Sequence, residues 1–81
     1  MSERLKFEGK LYGLRVEEKR IRAILKGLID SLRDALDPTE PAERLDRDRI
    51  QALAGEFGNK HLDLYGILDE IRKNKEQIGE R

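Results

Sequence analysis

Residues 37–41 read Asp37-Pro38-Thr39-Glu40-Pro41, and this stretch decides how the rest of the chain is divided. Proline has no N–H to donate and a fixed φ, so neither Pro38 nor Pro41 suits a helix interior. Pro38 also pushes Asp37 away from helical dihedrals. A helix arriving from the N-terminal side is therefore predicted to end near Leu36 or Asp37.

Upstream of the break, Phe7, Leu11, Leu14, Glu18, Ile21, Leu25, Leu28, Leu32 and Ala35 follow a 4-3-4-3 spacing, and only Glu18 is not apolar. This is the a/d row of a helix that packs along one seam. Downstream, Ile50, Ala54, Phe57, His61, Leu64, Leu68, Ile71, Lys75 and Ile78 repeat the spacing, with His61 and Lys75 as exceptions. Asp46 or Asp48 is suited to cap the second helix, Thr39 is an earlier candidate, and Gly79 suits its C-terminal stop. Residues 40–46 have room for a short extra turn. The expected fold is all-α, an antiparallel two-helix hairpin with long helices over about 3–36 and 47–78, in one domain spanning residues 1–81. At about 1.5 Å per residue each helix is roughly 50 Å long.

A two-helix hairpin buries one stripe per helix, and this chain has more apolar surface than that. Leu5, Tyr12, Val16, Ile24, Ile29 and Leu36 lie beside the first seam, and Leu53, Leu62, Tyr65 and Ile67 beside the second. Apolar residues beyond a and d suit a bundle. A chain this short gains little core alone, and a second copy is a common remedy. The expectation is a homodimer forming an antiparallel four-helix bundle. Its core would be built from Leu11, Leu14, Ile21, Leu25, Leu28, Leu32, Phe57, Leu64, Leu68 and Ile71. The line of small residues Ala23, Gly27 and Ser31 reads as a tolerated solvent-side feature.

Composition narrows the function. The 81 residues hold 17 basic and 17 acidic side chains, no Cys, no Trp and a single His. Without Cys there is no disulfide, no thiolate zinc site and no thiol nucleophile. No apolar run is longer than three residues, as in Ala23-Ile24-Leu25, so no membrane span or membrane partner is expected. Residues 1–10 alternate charged and apolar side chains without a signal-peptide core, which suits the cytoplasm. A balanced charge removes the simplest case for a nucleic-acid binder.

Glu18, His61 and Tyr65 stand out because they fall on or beside the seam. In an antiparallel hairpin turning over residues 37–46, partner numbers sum to roughly 79–83, which sets Glu18 opposite His61 or Tyr65. Such a pair reads as a polar core layer that fixes register. The sharper alternatives are acid–base chemistry or a metal. A metal needs three or four ligands, and with one His only a dimer joining two Glu18–His61 pairs would approach that number. Lys75 reads as a snorkelling side chain near the open end. No catalytic residue, metal ligand or cofactor is assigned. Helical chorismate mutases place several cations inside a dimer cavity; here a third helix is missing and the basic row lies off the seam. Neither Ser2 nor Ser31 is placed near His61, and the chain has no Gly-rich phosphate loop. An enzyme is not expected.

The zero net charge conceals a gradient. Residues 1–29 carry 8 basic and 4 acidic side chains, residues 30–70 carry 5 and 11, and residues 71–81 carry 4 and 2. Arg15, Lys19, Arg22 and Lys26 share one face of the first helix and are candidate phosphate contacts. No aromatic residue interleaves with them along that helix, so stacking of single strands is not suggested. The leading expectation is a non-enzymatic helical interaction and oligomerisation module with an unknown protein partner. The alternative is a nucleic-acid-associated regulatory protein using the basic stripe.

Leu36-Asp37-Pro38 ending a Leu-rich helix, followed by Pro41, Leu45, Ile50, Leu64, Ile71 and Gly79, resembles small helical-hairpin proteins of Mu-like transposable phages and prophages. The likeness covers Ile29 to Gly79. It implies a bacterial, prophage-encoded context, hence the cytoplasm of a bacterial host cell, and it transfers no functional residue because that family has no established biochemical role.

Overall fold

A helix must satisfy the carbonyls of its last turn and the amides of its first turn from outside its own ladder, and the residues around the proline break do so. The computed structural model describes the backbone of residues 3–77 and the side chains of residues 8–76. Helix α1 spans Glu3–Ala35, one residue short of the predicted end. Leu36 N–H still reaches the Leu32 carbonyl at 2.8 Å. The Asp37 carboxylate then organises the turn. Its Oδ1 accepts the Thr39 hydroxyl at 2.7 Å and the Thr39 N–H at 2.9 Å, and Glu40 N–H donates to the Asp37 carbonyl at 3.2 Å. A short 3-10 turn, Ala42–Arg44, fills part of the connection.

Helix α2 spans Arg47–Gln77. Asp46 Oδ1 accepts the Arg49 N–H at 3.1 Å, which identifies Asp46 as the cap of the two candidates. Ile78 and Gly79 lie outside the described residues, as do the side chains of Leu5 and Phe7. The two helices pack side by side as an antiparallel hairpin with principal extents of 61 × 19 × 14 Å. No helix among the described residues is long and apolar enough to cross a membrane.

The core is one row per helix. Leu11, Leu14 and Ile71 cluster toward the open end, and Ile21, Leu25 and Leu64 form the central group. Phe57, Ile67 and Leu68 pack against them half-buried. Leu28 and Ala35 are buried, and Leu32 is half-buried. The seam of α1 therefore matches its periodicity. The seam of α2 drifts: Ala54 is exposed while Leu53 is half-buried, and Asn74, at 1% exposure, takes the central place that the spacing gave to Lys75. Both departures fall one residue earlier than the heptad spacing places them.

Gly66 lies inside α2, and a Cβ built there meets nothing within 4 Å. Because Gly costs roughly 0.5–1 kcal/mol relative to Ala in a helix interior, Gly66→Ala is expected to raise stability by about that amount, read by chemical denaturation. The hydroxyl of Thr39, and next its backbone N–H, hold the Asp37 carboxyl below its ordinary range. That contribution is complete above the usual carboxylate titration near about pH 4 and disappears as pH falls through the lower folded-state value. Melting curves between about pH 5 and about pH 2 should therefore show a smaller acid-induced fall in Asp37→Ala than in the native chain.

Candidate functional site

Along the turn-proximal half of the hairpin, one flank of α1 and one flank of α2 border an open groove. Ile29, Leu32, Leu36, Pro38 and Phe57 line one stretch of about 390 Å³, with Arg33 on its rim. A second stretch of about 330 Å³ adjoins it, lined by Arg22, Leu25, Lys26, Ile29, Phe57 and His61. Ile29 and Phe57 belong to both, so the two form one trough with an apolar floor and a cationic edge. Ile29 is 42% exposed and Leu36 48%. These large aliphatic side chains are wetted because each lies one position off the buried row of α1, beside Leu28 and Ala35.

Helix α2 lines its side with rings. Phe57 and His61 stack, with centroids 5.5 Å apart and planes 18° apart. His61 meets Tyr65 edge-on at 4.7 Å and 83°. The i, i+4, i+8 spacing places all three on one helix face. His61 is half-buried between its neighbours, and Tyr65 is 60% exposed.

The expected polar layer does not assemble. Glu18 Oε2 accepts the Arg22 Nε–H at 2.8 Å along its own helix, and His61 lies at the level of Leu25 and Lys26. The reason is register. Ile21 groups with Leu64, and Leu14 with Ile71. The residue of α2 opposite any point of α1 thus has a higher number than a Glu18–His61 pair requires. Tyr65 faces solvent instead of the core. The route to a metal through paired Glu18 and His61 side chains lacks that pair within one protomer. Among the described residues no group of three or more His, Asp or Glu converges on a point.

Arg15, Lys19, Arg22 and Lys26 are all exposed on one side of α1, and Arg33 continues their row. Arg15, Lys19 and Lys26 form no ion pair among the described residues; Arg22 is held by Glu18. Sequence reasoning missed that the rings of α2 flank this row, because periodicity along one helix carries no information about which side of its partner it meets. The seam position of Phe57 and the i+4 repeat to His61 and Tyr65 were the available signals.

No known protein family, curated protein or solved structure matches the chain, and none bears on the likeness to phage hairpin proteins.

An ion pair with one partner half in water contributes little, whereas breaking a buried pair costs about 3–5 kcal/mol. Glu18→Gln is therefore expected to change stability by less than about 1 kcal/mol, read by urea denaturation.

Proposed function

We propose that this chain is a non-enzymatic helical interaction module that works as a homodimer, with a second copy laid antiparallel over the trough to complete a four-helix bundle. The observation that carries the reading is the exposed apolar floor formed by Ile29, Leu32, Leu36, Pro38 and Phe57. A contact with two-fold symmetry uses the same patch on both copies, so the apolar lining of one trough would face that of the other. The need is physical. Few side chains in a lone hairpin are fully buried, and chains of this size commonly gain the missing core from a partner. The second copy would cover Ile29 and Leu36 and bring Leu32 and Phe57 from half-buried to buried. The likeness of residues 29–79 to phage hairpin proteins adds a prophage setting to the proposal. The chemistry-bearing side chains support an interaction role: Glu18 is engaged by Arg22, and His61 by its two aromatic neighbours.

Sedimentation equilibrium at micromolar concentration is expected to report a dimer whose affinity changes little with salt, since the contact is apolar. Ile29→Glu should weaken it by tenfold or more while circular dichroism keeps its helical signal. A native chain that stays monomeric would overturn the proposal.

A further inference from the structure

The trough continues toward the open end as a face of a different kind, with cations on α1 and rings on α2. Arg22 and Lys26 line the same stretch as Phe57 and His61, and Tyr65 extends the rings beyond it. On α1, Arg15 and Lys19 continue the cations in the same direction at helical spacing. At about 1.5 Å per residue, the row from Arg15 to Lys26 is roughly 16 Å long. From the geometry we infer that this face binds single-stranded nucleic acid, with phosphates along Arg15, Lys19, Arg22 and Lys26 and a base against Tyr65.

Two independent features point to this ligand. The first is charge. Arg15, Lys19 and Lys26 have no acidic partner among the described residues, whereas Asp69 on α2 is already engaged by Arg72 at 2.6 Å and Lys73 at 3.0 Å. A row of unpaired cations attracts a polyanion and releases its counterions. The second is the exposed ring. Tyr65 keeps 60% of its surface in water and meets His61 in an edge-to-face contact. A base stacked on such a ring contributes sequence-tolerant affinity, and a duplex, whose bases are already stacked on each other, does not offer it. Cations beside an exposed aromatic ring are the combination by which single strands are held without base readout. The inference does not rest on the dimer. The strand uses the face from Arg15 to Lys26, the second copy uses the trough from Ile29 to Pro38, and the two meet at Arg22 and Lys26.

The test is a fluorescence anisotropy titration with labelled oligothymidylate and oligouridylate of about 12 nucleotides, at about 50 mM and about 200 mM salt. Binding of either oligomer at the lower salt, weakened at the higher, is the expected result; DNA or RNA preference then names the source of the strand. Arg15→Glu with Lys19→Glu should weaken binding at least tenfold and flatten its salt dependence. Tyr65→Ala should weaken it by several-fold to about a hundredfold while leaving the salt dependence unchanged. All three positions are exposed, and circular dichroism of each variant checks the fold. Light scattering on the same samples reads the dimer separately. No binding of either oligomer at low salt, equal or tighter binding of the matching duplex, or a Tyr65→Ala variant as tight as the native chain would each overturn the inference.

Discussion

The alignment of Ile21 and Leu25 with Leu64 is the contact on which the rest of the structure depends. It sets how far α2 is advanced along α1. Once that offset is set, Leu14 meets Ile71 toward the open end, and Phe57 falls beside Leu25 and Ile29 toward the turn. The offset also decides the surface. It draws His61 away from Glu18 and sets it beside Lys26, so a would-be polar layer becomes a boundary between rings and cations. A small change of register would alter these neighbours without altering either helix.

The ion pairs of this highly charged chain do a different job. Arg20 with Glu17, Arg22 with Glu18, Lys60 with Asp63, and Arg72 and Lys73 with Asp69 all join residues three or four apart on one helix. Such pairs give modest support to the helix that carries them, because water screens them. Only Arg49 with Asp34, at 3.5 Å, links the two helices among the described residues. Charge therefore supports the rods, and the apolar rows hold the rods together. Equal totals of positive and negative charge are consistent with this division, because most of the close pairs are local and opposite in sign.

The two helices and the break between them were legible from the chain alone. Pro38 and Pro41 marked the turn, and the 4-3-4-3 rows marked both helices and most of the core. The apolar residues off the seam were legible in part: Tyr12, Ile29, Leu36 and Leu62 are exposed, whereas Leu53 and Ile67 are half-buried and Ile67 packs against both core groups. The relation between the helices was not. Spacing gives the angle of a residue about its own axis; the offset and the sidedness of the pair arise from how the rows interlock. That is why Glu18 and His61 were matched wrongly, and why Asn74 was overlooked beside Lys75. The trough required both missing quantities, because it exists only where one flank of α1 meets one flank of α2.

The turn has a bearing on how the hairpin comes together in time. Asp37 gathers Thr39 and Glu40 through contacts two or three residues away, and Asp34 meets Arg49 only 15 positions along. Leu14 and Ile71 are separated by most of the chain. Closing a longer loop costs more entropy, about 0.6 kcal/mol for each doubling, so the first lasting contacts belong beside the turn. From there each added pair of side chains shortens the loop for the next. The chain should close like a zipper from residues 34–49 outward, and the last rung to form is the one nearest the two ends.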